Sequence, residues 1–188
     1  MIDLLIWPFV VCVVLVGIHV YFGLHVIKRG IIFVDLSLAQ VAALGSTLAF
    51  LMGFELDSNT AYFFSLGFAL FGALIFAFTR DIEGKIPQEA IIGIAYAVSS
   101  AAAIMAVSHS PEGAEHIKYL LIGSILTVTP AVVLKTGVVY ILVGLFHLVF
   151  FRRFAALTFQ KEKQQQNRRL WDFLFYASFG VVVTSSVK

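Results

Sequence analysis

Long apolar runs alternate with short polar connections along this chain, and the runs have the length of a bilayer. A helix needs about 20 mostly apolar residues to cross the hydrocarbon. Residues 3–27, 31–52, 60–79, 88–108, 130–151 and 170–187 meet that need. The runs are unbroken, whereas barrel strands would alternate over about 10 residues. The pattern therefore predicts an all-α, polytopic transmembrane bundle of about six spans, in one domain covering residues 1–188. Pro87 and Pro130 open the fourth and fifth runs, a first-turn position where a missing N–H is tolerated. Trp7 lies near one end of the first run as an interfacial anchor.

Orientation follows from where Lys and Arg fall. Lys28 and Arg29 lie between the first two runs, Arg80 and Lys85 between the third and fourth, and Arg152, Arg153, Lys161, Lys163, Arg168 and Arg169 between the fifth and sixth. These three connections are expected on the cytoplasmic side, which puts the N-terminus outside. The other connections, "GFELDSN" and "SHSPEGAEHIK", are acidic or mixed. Small residues recur every fourth position in the third run (Ser65, Ala69, Ala73, Ala77) and in the fourth (Gly93, Ala97, Ala101). Such stripes let helix backbones approach within lipid.

Composition narrows the class further. Sixty per cent of the 188 residues are hydrophobic and mean hydropathy is +0.96, outside the range of ordinary soluble domains. Membrane lipid is thus the expected surrounding. The single cysteine, Cys12, excludes a disulfide framework within one chain. The N-terminus "MIDLLIW" has no basic n-region, so the first helix is expected to stay. No enzyme signature is present: "EGKIP" lacks the rest of a phosphate-binding loop, and "AEHIK" carries only a reversed fragment of the zincin motif. The basic residues flank helices instead of alternating with aromatics, which argues against nucleic acid.

Polar residues inside the apolar runs carry the chemistry. Asp35 sits one turn into the second run of "HVIKRGIIFVDLSLAQVAALG", on a small, polar face with Ala39, Ala42, Ala43 and Ser46. A carboxylate there costs a few kcal/mol and is expected to face the bundle interior or a watery cavity. Two readings stay open: a station for a passing cation, or a structural pair with Lys28, Arg29 or a neighbouring backbone. His19 falls at a similar depth, roughly 7 to 10 Å below the midplane. Imidazole and carboxylate together suit a borderline divalent cation. Gln40 lies about 140° around the helix from Asp35. His25, near the cytoplasmic end, reads as an interfacial residue. On the outer side, His109, Glu112, Glu115 and His116 are candidates to hold an arriving cation, or simply a solvated loop leading into an acidic first helical turn.

Two stretches, "GLHVIKRGIIFVDLSLAQVAALG" and "TRDIEGKIPQEAIIGIAYAVSSAAAIMAVSHSPEGAEHIKYLLIGSILTVTP", resemble the integral membrane permeases of bacterial ABC importers for zinc, manganese and iron. The resemblance implies a subunit without enzymatic activity of its own, in the bacterial cytoplasmic membrane. It further implies a homodimer, a separate cytoplasmic ATP-binding subunit and an extracytoplasmic metal-binding protein. No tightly bound cofactor is implied; the divalent metal ion is cargo. Many members of the family carry histidine where this chain has Gln40. Members also continue past "VVVTSSVK", so a C-terminal truncation is expected. The connection after the fifth run resembles the family's ATPase-docking element, which here implies Arg152, Arg153, Phe154, Leu157 and Phe159 as partner-binding residues. Readings from other classes are a non-transporting membrane scaffold and an ion-coupled secondary transporter.

Overall fold

The computed structural model describes residues 2–80, 86–108, 110, 113, 128–159 and 167–186. They form seven helices: α1 (Ile2–Arg29), α2 (Val34–Leu51), α3 (Asn59–Thr79), α4 (Gln88–Val107), α5 (Pro130–Val149), α6 (Phe151–Phe159) and α7 (Arg168–Ser186). The described residues contain no strand. Local chemistry sets the ends. Gly30 reverses the chain after α1 at φ +66°, a conformation that glycine adopts without steric cost. The Ser58 hydroxyl accepts from Ala61 N–H at 3.1 Å to cap α3, and Thr129 does the same for α5 through Val132 N–H at 3.4 Å. The α2 N-terminus is capped from elsewhere: Phe33 N–H donates to Glu89 Oε1 of α4 at 2.9 Å.

Helices α1 to α5 are each long and apolar enough to cross a membrane, which makes this a multi-pass membrane protein. The sixth predicted run is a helix of a different kind. α7 carries Arg168, Arg169 and Asp172 in its first turns, then Ser178, Thr184 and Ser185. It falls short in apolarity because it lies in the interior and not at the lipid. Its segment from Phe175 to Gly180 is buried throughout. α2 packs on α3, α4 and α7, and α3 packs on α7. α1 packs on α5 and α6, and α5 on α7. Two groups of helices thus meet on α7.

Small residues decide the closest approaches. Ala69, Ala73 and Ala77 of the α3 stripe are buried, and a Cβ at Gly180 of α7 would stand 3.3 Å from the Ala69 Cβ. Gly45 of α2 is tighter, since a Cβ there would sit 2.6 Å from the Phe64 carbonyl oxygen. The α4 stripe behaves otherwise. Ala97 and Ala101 are exposed, and α4 turns Ile92, Ser99 and Ala103 inward. Ser37 of α2 fixes that face by donating to the Ile92 carbonyl at 3.0 Å.

At the end of the bundle where Lys and Arg collect, Asp172 of α7 gathers three arginines. Arg29 Nη2 donates to its Oδ1 at 2.7 Å, with both side chains almost wholly buried (1% and 3% exposed). Arg80 Nε is 3.8 Å from Oδ1, and Arg168 Nε is 3.6 Å from Oδ2. Arg80 also donates to Gln88 Oε1 at 3.0 Å, and Gln88 donates to the Phe76 carbonyl at 2.9 Å. The Arg29 guanidinium lies 4.3 Å from the Phe175 ring centroid, a cation–π contact. Arg29 therefore pairs with Asp172, and not with Asp35.

Candidate functional site

The first polar pair is assembled across the two helix groups. His19 Nε2 of α1 lies 4.0 Å from Asp35 Oδ2 of α2, with 31% and 42% of the side chains exposed. α1 presents His19 on the side that also carries Ile18 and Phe22 against α5 and α7, and its ring stands 6.1 Å from that of Tyr140. Asp35 is held at the opposite edge by the α2 N-terminus, whose Phe33 N–H is fixed by Glu89.

The imidazole orientation is set by a backbone group. His19 Nδ1 lies 2.7 Å from the Leu15 carbonyl oxygen, four residues earlier on the same helix. A carbonyl only accepts, so Nδ1 carries a proton and donates it. In the neutral ring, Nε2 then offers its lone pair toward the Asp35 carboxylate. A carbonyl holding the far nitrogen is the usual second contact of a metal-binding histidine. Two lone-pair atoms at 4.0 Å need a proton, a bridging water or a cation between them. Metal–nitrogen and metal–oxygen distances of about 2.0–2.2 Å would let one cation touch both, and tetrahedral geometry would close the gap to about 3.4 Å.

The remaining predicted residues do not complete a cage. Gln40 is half-buried on α2 and makes no hydrogen bond among the described residues. No group of three or more His, Cys, Asp or Glu side chains converges among the described residues. His109, Glu112, Glu115 and His116 lie outside the described residues. The described residues thus place two donor atoms side by side, with no third protein ligand beside them.

The expected docking segment is α6, and its residues divide. Phe154 and Leu157 are buried in the main core and do not face outward. Phe154 stacks on the His147 ring at 4.0 Å, 16° from parallel. Arg152, Arg153 and Phe159 remain exposed. The short helix is amphipathic, and its apolar side serves the bundle first.

Two histidines tie α6 to the long helices. His25, read from sequence as interfacial, is buried, with Nδ1 2.7 Å from Thr158 Oγ1. His147, not singled out from sequence, is also buried. The Ser178 hydroxyl donates to the Phe175 carbonyl at 2.8 Å, so it accepts from His147 Nε2–H at 2.7 Å. Nδ1 of the neutral ring then accepts from the Tyr21 hydroxyl at 3.1 Å. This chain of bonds joins α1, α5 and α7. A lone histidine late in an apolar run was the one available signal for it.

A polytopic helical membrane protein with a polar pair between helix groups is the class these features define. The chain matches the ABC 3 transport family over residues 1–188, and it belongs to that family. No curated protein matches it. Among solved structures it is similar to a chain of PsaBC from Streptococcus pneumoniae in complex with Fab, with a TM-score of 0.74 at 18% identity. The likeness covers 98% of this chain and 65% of that one. At that identity the similarity shows the fold.

Proposed function

We propose that this chain is a membrane-spanning subunit of an ATP-driven importer of a divalent metal ion, zinc, manganese or iron, and that it forms the translocation pathway. Membership of an ABC transport family supports the ATP-driven part. The His19–Asp35 pair supports the metal part, and it is the observation that carries the reading. Its two donors come from helices that pack on different neighbours, so relative movement of the two groups would open or close the site. ATP would be hydrolysed in a separate cytoplasmic subunit, docked near the Phe159 end of α6. An extracytoplasmic binding protein would deliver the ion, and a second copy of the chain would complete the pathway. The expected setting is the bacterial cytoplasmic membrane.

Asp35→Asn, which keeps the shape and removes the charge, tests this. Uptake of radioactive zinc or manganese into cells should fall by at least about ten-fold, the weight of a single charge-assisted ligand contact. Membrane insertion and co-purification of the partner subunits should be unchanged. Uptake at the normal rate would refute a pathway role for Asp35. Loss of assembly would make the carboxylate structural.

A further inference from the structure

Two cavities meet on the outer side of α1, α5 and α6. The first, about 510 Å³, lies between α1 and α5 and has apolar walls. Gly17, Gly137 and Gly144 line it, and a Cβ at any of the three would meet nothing within 4 Å. Its polar wall groups are Tyr21 and His147, which are bonded to each other, and Tyr140, whose hydroxyl donates to the Val182 carbonyl at 3.4 Å. The second, about 440 Å³, is lined by residues 148–153 and so includes Arg152 and Arg153. Leu148 and Phe151 line both, so the two adjoin as a slot along α5 and the start of α6.

The slot is apolar along its length and basic at its mouth. Leu148, Phe151, Arg152 and Arg153 are all exposed there. Neither arginine has a carboxylate partner among the described residues. Arg153 lies 5.9 Å from the Trp171 ring, and tryptophan and arginine together mark the headgroup level of a bilayer. The positive-inside pattern puts that level on the cytoplasmic leaflet, where anionic lipids attract basic residues.

We propose that this slot is a binding site for an anionic phospholipid, with an acyl chain between α1 and α5 and the phosphate on Arg152 and Arg153. The order of chemistry is that of a lipid: depth whose few polar groups are bonded within the protein, then two guanidinium donors shaped for phosphate oxygens. A neighbouring transmembrane helix could fill the groove, but it would leave both cations unmatched. The site is independent of what the protein transports. It also divides α6 between two tasks, with Arg152 and Arg153 at the lipid and Phe159, about two turns on, left for a protein partner.

The full chain, purified in mild detergent and mixed with phosphatidylglycerol or phosphatidylcholine, provides the test, with retained lipid read by native mass spectrometry. Two arginines at a headgroup correspond to a preference of about thirty-fold for phosphatidylglycerol. The double variant Arg152→Gln, Arg153→Gln should bring that preference close to one. Gly144→Leu, which grows into open space, should reduce retention of both lipids, and Gly137→Leu is the second choice should that variant fail to fold. No headgroup preference in the unaltered protein would overturn the proposal, as would retention unaffected by filling the groove. Loss of a co-purifying protein from the Arg152→Gln, Arg153→Gln variant would assign the mouth to a protein and overturn it too.

Discussion

Asp172 is the residue whose removal should cost this fold most, and the geometry says by how much. One carboxylate faces three guanidinium groups, two of them at most 8% exposed. Asp172→Asn removes the carboxylate that Arg29, Arg80 and Arg168 share among the described residues, while Arg29 and Arg80 stay buried. Breaking a buried pair so that a charge is left uncompensated costs about 3–5 kcal/mol. For a chain of this length that is a fall in Tm of roughly 6–20 °C. Arg29→Met makes an instructive partner. It deletes the shortest ion pair, at 2.7 Å, yet Asp172 retains Arg80 and Arg168 within 4 Å. Its cost should be about 1–3 kcal/mol, the range for a lost hydrogen bond to a charged group. Thermal unfolding of both variants in the same detergent gives the comparison. Arg29→Met proving as damaging as Asp172→Asn would refute the idea that Asp172 serves more than one arginine.

Two further outcomes follow from close contacts. Gly45→Val forces a methyl-bearing carbon against the Phe64 carbonyl oxygen, so it should destabilise by about 1–3 kcal/mol or more; Gly67→Ala on α3, where a Cβ meets open space, is the neutral control for the same thermal measurement. Thr158→Val strips His25 of its 2.7 Å bond and should loosen α6 by about 1–3 kcal/mol, seen as roughly 5- to 160-fold faster amide exchange in α6 and restored by Thr158→Ser.

The five lipid-facing helices were legible in the sequence because hydropathy measures the transfer of a whole segment, and each of those segments makes that transfer. α7 was legible as a run over 170–187, but its interior position was not, because burial against protein permits what lipid forbids. Its Asp172, Ser178 and Thr184 have partners inside the bundle. Arg29 and Arg80 were read by their place between apolar runs, Arg29 also as a possible partner of Asp35, and their convergence on a residue 143 and 92 positions later leaves no local trace. His25 and His147 escaped for the same reason. The nearness of His19 to Asp35 was within reach of depth arithmetic, but their 4.0 Å separation needed the turn at Gly30 to be known. The α6 triplet of Phe154, Leu157 and Phe159 shows the limit of amphipathic reasoning: it found an apolar side, but periodicity does not say whether the bundle or a partner covers it.

The pairing of Arg29 with a carboxylate 143 residues further along has a consequence for biogenesis. At about 5–20 residues per second, the ribosome needs roughly 7 to 29 s to reach Asp172 after Arg29 has been made. Through that interval the arginine is without Asp172, and a cation beside an apolar helix is the kind of charge that sets a segment's orientation during insertion. When the later helix arrives, the same charge is withdrawn into the protein and becomes the tether for the incoming segment. One side chain thus acts first as an address during insertion and then as a fastening that closes the assembled bundle.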